Sequence, residues 1–220
     1  MTALVANSST ERAERHELIL ALDTSTAACT AALFAADGSL FARADEIVER
    51  GHAERLAPLI AEMLGGHVPA SIIVGVGPGS FTGLRIGIAC AHGMAVGWDI
   101  PVNGMDSLAL LAAGAPGDGP VVVAVNGGHG EIFVAQYARP RLASIGEPAN
   151  LRPDVAAARY DTALVVGNGA AALVAARGSG EAIDLLPSAA NALLLPVALR
   201  SLAPSPIYAR PPDAKPAIAA

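Results

Sequence analysis

Ser71-Ile72-Ile73-Val74-Gly75-Val76 runs without a break into Gly77-Pro78-Gly79-Ser80-Phe81-Thr82-Gly83-Leu84-Arg85-Ile86-Gly87, and the reading of this stretch decides the fold. The first six residues form a short, mostly apolar run bounded by glycine, the mark of a buried strand. Leu84 to Gly97 is rich in small residues and reads as a helix. Strand, glycine-rich turn and helix in succession indicate an α/β fold. Gly77, Gly79 and Gly83 free the backbone for unusual dihedrals. The helix start beyond them offers unpaired N–H groups that suit an anion. Ser80 and Thr82 add hydroxyls, and Arg85 adds a cation in the first turn. Two uses fit: a phosphate or carboxylate site, or a tight turn in which Ser80 or Thr82 caps the helix. Neither the GK[ST] ending of a Walker A loop nor GxGxxG is present.

Upstream, Leu18 to Leu22 is an apolar run ending at Asp23, and Asp23-Thr24-Ser25-Thr26 is a turn cluster. Ala28 to Phe34 resumes a strand, Asp37-Gly38 signals a hairpin, and Phe41 to Val48 is a third strand. Asp23 could hold Mg²⁺ through water while Thr24 and Ser25 touch phosphate, or it could close an Asx turn. A helix follows, with His52, Leu56, Leu59 and Met63 on one side and Ile60 and Leu64 beside them. Pro58 predicts a bend or a later start, and Gly65-Gly66 a stop.

Downstream, Asp99 to Asn103 leads to a strand and Ser107 to Ala113 to a short helix. Gly114 to Pro120 is the clearest break in the chain. Val121–Val125 and Glu131–Tyr137 then read as a hairpin turning at Asn126-Gly127-Gly128. Asp161–Gly167 reads as a strand, Ala170–Ala176 as a helix, and Ser188–Leu202 as a last helix bent at Pro196. The expected division is a tail over residues 1–16, one subdomain over 17–116, a second over 117–203, and a proline-rich tail over 204–220.

The 220 residues are 53% hydrophobic and 15% charged, with a formal net charge of −6. Such a chain can bury a core without disulfide or metal staples, and it is a poor stand-alone nucleic-acid binder. The mean hydropathy of +0.47 reflects Ala, Gly and Val content, since no run of ~20 apolar residues is uninterrupted. No membrane span and no signal peptide are expected, so the predicted location is cytoplasmic. Cys29 and Cys90 form no CxxC pair, and the five histidines show no HxxxH or HExxH spacing, so no metal site is expected.

The face bearing His52, Leu56, Leu59, Ile60, Met63 and Leu64 is apolar, and so is the small-residue face Gly87, Ala91 and Ala95. Some of each must cover the sheet. Ile88 and Met94 lie off that small-residue face and give the second helix apolar surface on more than one side, a pattern that suits a helix–helix interface with another chain.

Ile19-Leu-Ala-Leu-Asp-Thr-Ser-Thr26, the Gly77–Gly87 string and Val102-Asn-Gly-Met-Asp-Ser-Leu108, in this order, resemble the bacterial TsaB (YeaZ) family. Gly130-Glu-Ile-Phe133, Gly167-Asn-Gly-Ala170 and Pro206-Ile-Tyr-Ala-Arg210 agree with it more loosely. The resemblance implies an actin-like/Hsp70-like ATPase (ASKHA) fold with two RNase H-like subdomains. It implies a non-catalytic scaffold that pairs with the transferase TsaD, joined by the ATPase TsaE. That assembly forms threonylcarbamoyladenosine beside the anticodon of tRNAs reading codons that start with A. ATP and Mg would be used by the partner complex, this chain would require no cofactor, and tRNA would be met only through the complex. A homodimer is conceivable when the chain is alone. On this view Asp23, Thr24, Ser25, Gly77, Gly79, Ser80, Thr82, Gly83 and Arg85 form a degenerate nucleotide site. His52, Leu56, Leu59, Ile60, Met63, Leu64, Leu84, Gly87, Ile88, Ala91 and Ala95 would face the partner, so that Leu56→Asp or Ala91→Arg breaks the pairing in a folded chain. TsaD-like proteins carry a metal-binding His-x-x-x-His where this chain has Gly104 and Leu108. Asn126-Gly127-Gly128 departs from the Asp-Ala-Arg of many family members. The alternatives are an ATP-dependent phosphotransferase of the same fold and, less well supported, a peptidase, for which neither a zinc triad nor a Ser/His/Asp set is evident.

Overall fold

The computed structural model describes residues 18–209. The expected N-terminal tail and the part of the C-terminal tail from Arg210 onward lie outside the described residues.

The first half forms β1 (Ile19–Asp23), β2 (Ala28–Phe34), β3 (Leu40–Ile47), α1 (His52–Leu64), β4 (Ser71–Gly77), α2 (Phe81–Trp98), β5 (Val102–Asp106) and α3 (Ser107–Gly114). The second forms β6 (Val121–Gly128), β7 (Glu131–Ala138), β8 (Ala143–Leu151), α4 (Pro153–Arg159), β9 (Leu164–Val166), α5 (Ala170–Arg177) and β10 (Glu181–Ile183). A 3-10 helix (Ala189–Leu194) and α6 (Val197–Arg200) follow. Each half builds one five-stranded sheet, in the order β3-β2-β1-β4-β5 and β8-β7-β6-β9-β10. In both, three antiparallel strands are followed by two parallel additions. The same connectivity occurs twice, as expected of the doubled actin-like fold.

Strand alternation sorts side chains into layers. Leu20 and Leu22 face α1 and α2, while Ala21 faces the middle of the molecule. Val122 and Ala124 face α4 and α5, while Val121, Val123 and Val125 meet the same middle layer. That layer is α3, whose residues Leu108 to Ala112 are all buried because the helix lies between the two sheets. The 3-10 helix returns to the first sheet. There Asp45 accepts from the hydroxyls of Ser188 (2.8 Å) and Thr30 (2.5 Å), and Thr30 Oγ1 accepts from the Ala189 N–H at 2.8 Å. The break at 114–120 is clamped by Arg139, which donates to the carbonyls of Ala115, Pro116 and Gly119.

Several expectations need correction. Helix α2 starts at Phe81, inside the glycine loop, because the Ser80 side chain accepts from the Gly83 N–H. α1 begins at His52 and carries Pro58 within it. The β6–β7 turn is His129-Gly130, not Asn126–Gly128. Both residues have positive φ (55° and 76°), and Gly128 pairs with Glu131 across it. The last helix is broken in two at Leu195-Pro196, because a residue before proline is driven to extended backbone. β8, α4 and β10 are elements beyond those the sequence pattern marks. β8 contains Pro148, which cannot donate to a ladder and so suits a strand at a sheet edge, the place β8 occupies.

Candidate functional site

The loop Gly77–Gly83 lies against the turn Asp23–Thr26, and the two are packed backbone to backbone. The Ser80 N–H donates to Ser25 O (2.7 Å), and Thr24 Oγ1 donates to Gly83 O (2.7 Å). A Cβ on Gly79 would sit 2.5 Å from Ser25 O, and one on Gly83 would sit 2.0 Å from Thr24 O. One on Gly77 would meet Leu84 at 2.8 Å. The glycines are therefore required by the chain's own close approach.

Asp23 is fully buried. Its Oδ1 accepts from the Ser25 N–H (2.8 Å) and Ser25 Oγ (2.7 Å), and its Oδ2 accepts from Ser107 Oγ (2.6 Å). Ser107 Oγ in turn accepts from the Gly77 N–H at 3.1 Å. A Cβ on Gly75 would fall 1.8 Å from Asp23 Oδ2. These contacts leave the carboxylate no approach for a hydrated cation. Of the expected nucleotide site, the Asp23 carboxylate is therefore enclosed by the chain itself. Asp23, Thr24, Gly77 and Gly79 pack into a joint between β1, β4 and α2, while Ser25, Ser80, Thr82 and Gly83 also edge an open cleft. Ser80 caps α2, its Oγ accepting from the Gly83 N–H at 3.2 Å. Arg85 points to the C-terminal segment, where its Nε donates to Tyr208 Oη at 3.0 Å.

Desolvation pushes Asp23 above the ordinary carboxylate range, against the hydrogen bonds of Ser107 and Ser25 that lower it. Burial raises Asp106 as well, and Asp106 caps α3 through Leu108 and Ala109 while accepting from Tyr137 Oη at 2.8 Å. A carboxyl whose pKa is raised on folding holds its proton longer in the native state than in the unfolded chain. Its stabilising contribution is full below the unfolded value and is lost as pH rises through the folded one. Asp23→Asn keeps the shape and removes this dependence. The melting temperature of the variant minus that of the wild type is expected to increase as pH rises from 4 to 8. A difference that stays flat or falls, measured by thermal melts across that range, would show that the carboxylate is not destabilised by burial.

An open cleft of about 580 Å³ remains beside the joint. Its lining includes Ser25, Thr26, Arg50, His52, Ser80, Thr82 and Gly83 from the first half, so one edge of the joint opens onto it, and Val125, Asn126 and Asn168 from the second. The Asn126 N–H donates to Asn168 Oδ1 at 2.9 Å. Among the described residues, no group of three or more His, Cys, Asp or Glu could hold a metal ion, and no helix is long and apolar enough to cross a membrane. Cys29 is buried, and burial pushes its thiol up to about 11.

The expected partner face is also corrected. His52, Leu56, Leu59, Ile60 and Leu64 are buried in this chain, as are Leu84, Gly87, Ile88, Ala91 and Ala95, and Met63 packs against the same core. Gly87 approaches Thr24, Leu22 and Val74 so closely that a Cβ would lie 2.5 Å from Thr24 Oγ1. The small residues at these positions seat α2 on its own sheet. The faces that remain exposed carry a second set of small and apolar residues. These are Ala53, Ala57, Pro58 and Ala61 on α1, and Ala89, Gly93, Val96 and Gly97 on α2. On α2 helical periodicity does not separate the exposed set from the buried one, because that helix is apolar around most of its circumference.

At position 104 a Cβ would meet Ala203 O at 2.6 Å and Val76 Cγ1 at 2.7 Å, and Leu108 is buried. The segment after α6 covers this place, since Gly104 and Leu202 exchange backbone hydrogen bonds of 2.7 and 3.0 Å. No metal-holding side chain fits at position 104 in this arrangement.

The family model "TsaD: tRNA N6-adenosine threonylcarbamoyltransferase" matches residues 45–161. A relative named tRNA threonylcarbamoyladenosine biosynthesis protein TsaB, from Escherichia coli (strain K12), is 38% identical over 129 residues, 55% of each chain. The chain thus spans about half the length of that relative. An uncharacterized protein of Mycobacterium tuberculosis (strain ATCC 25618 / H37Rv) is 32% identical over 90% of this chain and 94% of its own. Among solved structures, YeaZ from Pseudomonas aeruginosa superposes with a TM-score of 0.74 at 31% identity, over 87% of this chain and 99% of that one.

Proposed function

This chain belongs to the TsaB (YeaZ) family, and from that membership we propose that it is the non-catalytic partner subunit of the assembly that forms N6-threonylcarbamoyladenosine in tRNA, paired with a TsaD-type transferase. The match to TsaB-named relatives carries the reading. Two features of the site support the non-catalytic part. The Asp23 carboxylate is enclosed by Ser25, Ser107 and Gly75, and position 104 is too crowded for a histidine. The chain itself requires no nucleotide, and ATP and Mg are used elsewhere in the complex. The partner contacts the outward faces of α1 and α2, through Ala53, Ala57 and Ala61 and through Ala89, Gly93 and Gly97. Small side chains there let a helix of another chain approach closely. A TsaE-type ATPase joins the pair, and without partners the same face supports a homodimer. With a net charge of −6, tRNA contact falls to the other subunits, and the complex works in the cytoplasm.

The test is reconstitution of threonylcarbamoyladenosine formation on tRNA with and without this chain, with ATP, threonine, bicarbonate and the other subunits present throughout. Product only when the chain is added, together with a co-eluting heterodimer, is the expected result. Full activity without it would overturn the reading. Micromolar Mg-ATP binding by the isolated chain would return the phosphotransferase alternative.

A further inference from the structure

Phe81 and Tyr208 are both about 45% exposed, in a chain with few aromatics, and they meet with ring centroids 5.3 Å apart. The Arg85 guanidinium lies 3.7 Å from the Phe81 ring centroid, and its Nε donates to Tyr208 Oη. Stacking on one side and a hydrogen bond at Nε fix the plane of the guanidinium. Its two Nη groups make no hydrogen bond or ion pair among the described residues, and helix α2 contains no Asp or Glu. Tyr208 is held in turn by backbone, because the Ile207 N–H donates to Val76 O at 2.8 Å. An exposed arginine is ordinarily free to move, and ordering it on binding costs conformational entropy. Here much of that ordering is already done, and the two Nη groups, the two-pronged end that matches a carboxylate, have no partner among the described residues.

We infer that Arg85, held by Phe81 and Tyr208, is a preformed receptor for a carboxylate side chain of the partner subunit. This rests on the pairing proposed above, because Arg85 lies one turn before Ala89 on α2. A protein carboxylate fits the site better than nucleic acid. Arg85 already occupies one face of Phe81, and a single cation is less than the cluster that nucleic-acid phosphates draw on. Aromatic and arginine side chains are also the residues that most often anchor protein interfaces.

The test titrates the full chain with its TsaD-type partner by calorimetry at low and high salt. The variants are Arg85→Ala, Arg85→Lys, Tyr208→Phe and Gly93→Arg. Removing one partner of a hydrogen-bonded ion pair at an interface weakens binding about tenfold or more, so Arg85→Ala is expected to do so and to flatten the salt dependence. Arg85→Lys restores only part, lacking the two-pronged geometry. Tyr208→Phe gives a smaller loss, by freeing the guanidinium plane. Gly93→Arg tests the pairing itself. If it abolishes binding while Arg85→Ala leaves affinity unchanged, the carboxylate receptor is overturned and the pairing stands. If the wild type does not bind the partner, both fall. If Arg85→Ala weakens tRNA binding and leaves partner affinity intact, the site belongs to nucleic acid and the inference is wrong.

Discussion

Gly83→Ala is expected to destabilise the protein by about 3 kcal/mol or more, beyond the usual range for one added methyl in a packed core. The added Cβ would lie 2.0 Å from Thr24 O and 3.2 Å from Thr24 C. Neither side of this contact can yield cheaply. Thr24 sits at the end of β1, which pairs with β2 and β4, and its hydroxyl donates back to Gly83 O at 2.7 Å. Gly83 is in the first turn of α2, where Ser80 holds its N–H. Relief requires α2 to lift from the sheet, opening the contacts of Gly87 and Ala91 behind it. For a domain of this size the loss corresponds to roughly 6–12 °C in melting temperature. Gly93→Ala on the same helix is the control. Nothing lies within 4 Å of its added Cβ, so it should gain about 0.5–1 kcal/mol from the reduced freedom of the unfolded chain. Thermal melts of both variants check the pair. A Gly83→Ala melt within a degree or two of wild type would mean that the joint is loose and that a ligand could enter it.

The order of strands and helices was legible wherever a local signal set it. The apolar runs before Asp23 and Gly77, the Asp37-Gly38 turn and the Gly65 stop all carry their cause in adjacent residues. Gly38 and Gly65 adopt the positive φ their positions require. What failed was direction. Gly77, Gly79 and Gly83 announce that something comes close to the backbone, but their spacing cannot distinguish a phosphate from Ser25 and Thr24. In α2 the small residues occur on two faces. Gly83, Gly87, Ala91 and Ala95 meet the sheet, while Ala89, Gly93 and Gly97 meet solvent, and both sets have helical spacing. Only the register of β1 and β4 beneath the helix selects the buried face. The partner of Arg85, Tyr208, lies 123 residues away and leaves no local trace, so nothing near Arg85 in the sequence points to it. β8 was missed because an exposed edge strand need not alternate apolar and polar residues.

Gly93→Arg is expected to abolish the heterodimer and reduce threonylcarbamoyladenosine formation to the level seen without this chain, while leaving the fold intact. Position 93 is exposed, and its Cβ direction is open, so the monomer accommodates the side chain. Two helices packed through small residues run 8–10 Å apart, and an arginine between them cannot be placed without separating the axes. Leu56→Asp and Ala91→Arg must behave differently from this variant. Leu56 is 1% exposed and Ala91 is fully buried, so each change puts an unpaired charge into the core shared by α1, α2 and the first sheet. That costs several kcal/mol, comparable to the whole stability of a domain. Those two variants are expected to lose the heterodimer because they unfold, with cooperative melting lost in circular dichroism. Gly93→Arg is expected to lose it with a melting curve within about 2 °C of wild type, since exposed substitutions rarely change stability much. Size exclusion with the partner and circular dichroism on the same preparations separate the cases. A Gly93→Arg chain that still co-elutes and still supports product formation would remove the outward face of α2 from the interface.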